Sequence, residues 1–162
     1  MIMRLQSEQR NFAEEALKQL VGLPLSDMWR YGCQKFEFGE QHPQVNRKGE
    51  AIHAAEWALV AECPWRLSGP SGFELSHEHF GPDLERRDDH AASFYKSIET
   101  SPPVVTSIAI ASDGRLIVAM TGNFVLAMVP SGEGTWRLMP PKHDPRGHFE
   151  VGENASGWTR DA

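Results

Sequence analysis

A chain of 162 residues, 40% hydrophobic and 23% charged, has the composition of one globular α+β-sized domain (residues 1–162) and not of a disordered or fibrous protein. Its formal net charge of −6 repels a phosphate backbone, which argues against nucleic acid and in favour of a basic protein partner. The opening MIMRLQSEQR lacks the apolar core of a secretory signal, and no run approaches the roughly 18 apolar residues of a spanning helix. The expectation is a cytoplasmic protein with no membrane partner. Cys33 and Cys63 are then free thiols, too few and too far apart for a disulfide framework or a cysteine metal site.

Residues 7–21 predict a helix. Ser7 can cap it, Glu8 suits the positive end of its dipole, and Phe12, Ala13, Ala16, Leu17, Leu20 and Val21 recur at helical spacing. Gly22 and Pro24 stop it. LPLSDMWRYGC fits either a turn of helix or a strand. QKFEFG alternates, with Phe36 and Phe38 on one face and Lys35 and Glu37 on the other. EQHPQVNRKGE is polar, holds Pro43 and Gly49, and reads as a long exposed loop.

The strongest alternation covers residues 55–67. Trp57, Leu59, Ala61, Cys63, Trp65 and Leu67 share one face, and Glu56, Ala58, Val60, Glu62, Pro64 and Arg66 point the other way. Cys63 on the apolar face reads as a small inert hydrophobe. Pro64 cannot donate to a ladder, so it marks a strand end, a bulge or an edge. A Gly/Pro/Ser-rich stretch follows, with a short strand at FELSHEHF. Residues 83–98 predict a second helix, capped by Asp83, with Leu84, Ala91, Phe94, Tyr95 and Ile98 buried. The last third predicts a β-meander: strands near 103–111, 115–120, 124–129 and 135–139, with turns at Asp113-Gly114, Gly122-Asn123 and PSGEG, and a closing strand HFEVG. Leu116, Val118 and Met120 on one face and Ile117 and Ala119 on the other make both faces apolar, which calls for a second layer, a curled sheet or a partner.

Trp-Arg occurs at 29–30, 65–66 and 136–137. Neighbours on a strand point to opposite sides, so each Trp should anchor the core while its Arg faces out. Three groupings could carry chemistry. His77, His79 and His90 have metal-ligand side chains, though in no strict ligand spacing. His143, Asp144 and His148 could serve acid–base work, but a polar turn before the closing strand is the better reading of them. Glu37, Glu56 and Glu62 lie on outward strand faces, where solvent is the default neighbour. No nucleophile-elbow serine and no glycine-rich phosphate loop occurs.

FEFGE, WALVAECPWRL, the segment near LERRDD, VLAMVPSGEGTWRLMPP and HFEVG together resemble a family of small bacterial proteins without an established activity. Its landmarks are a Phe-x-Phe-Gly strand, a Cys-x-Trp-Arg strand, a Trp-Arg strand and a closing His-Phe-x-Val strand. Val60 and Ala61 fill the stretch where that family often carries a histidine. The resemblance implies a fold of the same kind. Small acidic proteins of this type are similar to immunity proteins encoded beside toxins.

These readings converge on an α+β fold: a mainly antiparallel sheet, including a C-terminal β-meander, with two helices packed on it. The leading functional expectation is a non-enzymatic protein-binding domain, an immunity (antitoxin-like) protein inhibiting a basic toxin. Glu62, Trp65 and Arg66 are its partner-binding candidates, with no catalytic residue, metal ligand or cofactor assigned. The alternatives are a small-ligand binder lined by Trp57, Trp65 and Trp136, and a metal-dependent hydrolase using His77, His79 and His90. An uncovered apolar sheet face would also favour a homodimer.

Overall fold

The computed structural model describes residues 7–31, 33–46, 48–79, 89–131, 134–141, 148–151 and 156–159. Their elements run α1 (Ser7–Leu17), β1 (Leu25–Tyr31), β2 (Cys33–Val45), β3 (Ala51–Ala61), β4 (Trp65–Ser68), β5 (Glu74–Ser76), α2 (Asp89–Thr100), β6 (Val105–Ile110), β7 (Leu116–Met120), β8 (Phe124–Met128), β9 (Trp136–Met139), β10 (His148–Val151) and β11 (Ser156–Thr159). All described pairings within the sheets are antiparallel. The fold is α+β and mostly antiparallel sheet, in two parts: a six-stranded sheet ordered β1-β2-β3-β9-β10-β11 and a five-stranded sheet ordered β5-β4-β8-β7-β6. Among the described residues, no helix is long and apolar enough to cross a membrane.

One hydrophobic cluster takes side chains from both sheets. Phe36, Leu59, Leu138 and Phe149 lie in register across the larger sheet, and Leu67, Leu126 and Val118 across the smaller one; all are buried. Phe36 meets Trp65 edge-on at 5.0 Å between ring centroids, so the sheets touch through aromatic rings. The second layer that the meander needed is thus the other sheet. α1 lies beside β6 and β11, and α2 beside β1. α2 also inserts Phe94 against Phe73 and Phe124, at 5.2 and 5.7 Å. The opposite face of the meander leaves Ile117 and Val125 more than a third exposed.

Several local expectations change. The α-helical part of 7–21 ends at Leu17, and Lys18–Leu20 tightens into a 3₁₀ turn. Val21 is extended and exposed, because the chain must straighten there for Gly22 N–H to reach the Val105 carbonyl at 2.8 Å. Within the ambiguous LPLSDMWRYGC, Leu25–Tyr31 is a strand. Its register pairs Met28 with Phe36, which puts Met28 in the core and turns Trp29 outward, where Lys35 lies over its ring at 4.8 Å. Trp65 and Trp136 are core anchors as expected, while Trp29 is not.

The stretch expected to be a long loop is a hairpin. β2 and β3 stay paired from Gln41↔Ala55 to Val45↔Ala51, beyond the reach of β1 and β9. Asn46 closes the turn: its Oδ1 accepts the N–H groups of Lys48 and Glu50, and Gly49 supplies the positive φ. At the base of this arm, Phe38↔Trp57 gives way to Gln41↔Ala55, so two residues of β2 oppose one of β3. Gly39 takes φ +101 at that bulge, which accounts for the glycine of the Phe-x-Phe-Gly motif. Asp83 and Leu84, assigned to the second helix, lie outside the described residues, as do the side chains of Ser7, Phe12, Ala91 and Tyr95.

Candidate functional site

The alternation expected over 55–67 holds from Ala61 to Leu67 and spans two sheets, whereas at 58–61 both faces of β3 are covered and Ala58 and Val60 are buried instead of outward. Ala61 pairs with Trp136 of β9, and four residues later Trp65 pairs with Met128 of β8. The chain therefore changes sheets through Glu62, Cys63 and Pro64. Glu62 N–H donates to the Thr135 carbonyl at 2.8 Å, and Val129 N–H donates to the Pro64 carbonyl at 2.9 Å. Proline suits this place because it has no N–H to leave unpaired at the bend. Strand switching at a bend makes a corner between packed sheets.

The corner requires Gly134. A Cβ there would lie 2.9 Å from the Glu62 carbonyl oxygen and 3.3 Å from the Cys63 Cα, both backbone atoms with little room to move. Gly134→Ala should destabilise the protein by about 1–3 kcal/mol through overpacking and push the β3–β4 corner away from β9. Urea unfolding measures the first effect. An unchanged midpoint would show that the corner has slack.

A cleft of about 330 Å³ opens at this corner. Cys33 and Gln34 from the start of β2, Ala61 from β3, the bend residues Glu62, Cys63 and Pro64, Trp65 of β4, and His77 after β5 line it. Cys63 is buried, and burial pushes its thiol up to about 12. Cys33 is half-buried; burial first, and then the Glu62 carboxylate, raise its thiol as well. Both sulfurs are therefore protonated and weakly nucleophilic at neutral pH. Glu62 receives Arg137 Nη2 at 3.2 Å, and the same guanidinium lies 3.4 Å from Glu150 through Nε. Gln34 is buried with its amide nitrogen donating to the carbonyls of Trp29 and Lys35, at 3.1 and 3.5 Å. Its Oε1 has no partner among the described residues.

Of the three partner-binding candidates, Glu62 and Trp65 line the cleft and Arg66 does not. Arg66 is exposed and paired with Glu74 at 3.1 Å on the outer face of the smaller sheet. Most of the Trp65 surface is spent on the core, so Glu62 is the cleft-lining candidate that faces solvent. Trp136 is fully buried and Trp57 packs on the core; neither lines this cleft with Trp65. His77 is exposed, with Nδ1 3.3 Å from the Trp65 carbonyl. The side chains of His79, His90 and His148, and the whole of His143 and Asp144, lie outside the described residues. Among those described, no three or more His, Cys, Asp or Glu are placed to hold a metal ion.

The acidic trio divides. Glu56 and Glu62 face solvent, but Glu37 is only 2% exposed. Its two oxygens accept the Ala55 N–H at 2.8 Å and the Trp29 indole N–H at 2.9 Å. It is a structural plug beside the bulge, and the expectation of a solvated Glu37 is corrected. Gln34 and His77 escaped the sequence reading as cleft residues: nothing local marks a glutamine on an alternating strand as orphaned. Comparison with protein-family models, curated proteins and solved structures finds no match.

Proposed function

We propose that the protein is a non-enzymatic binding protein of the immunity (antitoxin-like) kind, cytoplasmic, whose partner is a basic protein. The observation that carries this reading is the β3–β4 corner. There a solvent-facing carboxylate, Glu62, stands at a cleft whose lining holds no Lys or Arg among the described residues, on a chain of net charge −6. Such a field speeds encounter with a cationic surface and makes binding sensitive to salt. The two thiols in the cleft, both held protonated, suit a contact surface better than a covalent reaction centre. The kinship suggested by the strand motifs belongs to the same proposal.

The test is affinity capture from the native host at low and at high salt, followed by identification of what is retained. One basic protein in stoichiometric amount, released at high salt, is the expected result. Glu62→Lys should weaken its capture at least about tenfold, since it replaces an attraction by a repulsion at the contact. Undiminished capture by that variant would move the contact elsewhere on the surface.

A further inference from the structure

We infer that the cleft at the β3–β4 corner is a receptor for a guanidinium group. The inference deepens the reading of a basic partner and rests on it, since the source of the guanidinium there is an arginine side chain of that partner. Three residues that line the cleft carry an acceptor: Gln34, Glu62 and His77. The first is Gln34 Oε1. Its amide is oriented without ambiguity: both neighbours of Nε2 are carbonyls, which only accept, so the oxygen must be the free end. That oxygen is buried in a residue 3% exposed and has no partner among the described residues. An orphaned buried acceptor is costly, and a donor that enters the cleft and shifts the lining over this oxygen relieves it.

The second acceptor is Glu62. Arg137 engages Oε2 from the outer face of the larger sheet, and Oε1 has no partner among the described residues. The third is His77. Because the Trp65 carbonyl can only accept, the contact at Nδ1 requires the proton there, which leaves Nε2 as an acceptor in the neutral ring. A guanidinium carries five N–H donors in a rigid plane and can serve several separate acceptors at once; an ammonium is a single compact centre. The cleft, at about 330 Å³, also has room for the aliphatic stem.

The probe is N-acetyl-arginine amide, titrated into the full-length protein while backbone amide NMR shifts are followed. N-acetyl-citrulline amide is the control: it has nearly the same shape and no charge. Saturable shifts confined to residues 33, 34, 61–63, 65 and 77 are expected with the arginine probe and not with citrulline. Glu62→Gln should weaken binding about fivefold, the effect of removing one half-exposed charge partner. Gln34→Glu should tighten it, whereas a purely structural Gln34 would give no gain. If Gln34→Glu does not fold, the wild-type shift map and Glu62→Gln still decide. Equal responses to the two probes, or shifts elsewhere, overturn the proposal and assign Gln34 Oε1 to a buried water. Arginine binding in the cleft without any captured basic protein would uphold the site and identify free guanidines as its ligands. Capture of a basic protein by a chain that ignores the arginine probe would overturn the site and leave the basic-partner reading standing.

Discussion

Trp136→Ala should cost about 3–5 kcal/mol of folding stability, the range for emptying a large aromatic site in a packed core. Trp136 is fully buried in β9 of the larger sheet, and its ring packs near Phe149 at 6.2 Å. Its indole N–H reaches across to the Gly114 carbonyl, 2.9 Å away in the β6–β7 turn of the other sheet. One side chain therefore supplies both apolar filling and a polar tie between sheets. Trp136→Phe separates the two: it keeps most of the filling and orphans the carbonyl, so about 1–3 kcal/mol is expected. Domains of this size hold only about 5–15 kcal/mol in total, so the alanine variant should be close to unfolding at 37 °C. Urea unfolding of both variants is the measurement. A loss under about 1 kcal/mol for Trp136→Ala would mean that the sheets are joined elsewhere.

The alternation was legible over Ala61–Leu67, where buried and exposed residues take turns even as the chain changes partners, and it misled at Ala58 and Val60, which are buried on the other face of β3. For the same reason the change of sheets was invisible: Ala61 and Trp65 look equivalent in sequence, and only long-range pairing with Trp136 and Met128 separates them. Pro64 was the local trace of the corner. The hairpin arm was missed because its exposed residues are mostly polar, and Val45, Ala51 and Ile52 at its tip are too few to mark a strand by alternation. Asn46 and Gly49 were the turn chemistry that could have revealed it. Glu62 was found from its outward position. Gln34 was not, since its missing partner is a fact of packing. The outward turn of Trp29 followed from register, which one residue of slip reverses.

Glu37 gives the second large effect. Removing its side chain in Glu37→Ala leaves the Ala55 N–H and the Trp29 indole N–H without their acceptor. A buried donor left unsatisfied costs about 1–3 kcal/mol, and water can partly replace the acceptor at half-buried Trp29, so the expected loss is about 2–4 kcal/mol. Glu37→Gln preserves shape but offers only one acceptor to two donors, and should cost less than the alanine variant.

The carboxylate also couples the fold to pH. Burial pushes the Glu37 carboxyl above its ordinary value, against the pull of the Ala55 and Trp29 hydrogen bonds and of Lys35. With a raised value in the folded state, the native protein holds this proton at a pH where the unfolded chain has lost it. Its contribution to stability is then fully present below the unfolded carboxylate value of about 4.3, and is lost as pH rises through the raised folded value. Over that window wild-type stability should fall with rising pH relative to Glu37→Gln, which has no proton to release. Urea midpoints of the two proteins across pH 4 to 7 isolate the effect, because every other titrating group is common to both. Parallel curves would show that the hydrogen bonds balance burial. A difference of the opposite sign would show that Glu37 is stabilised as the anion and that its pH coupling runs the other way.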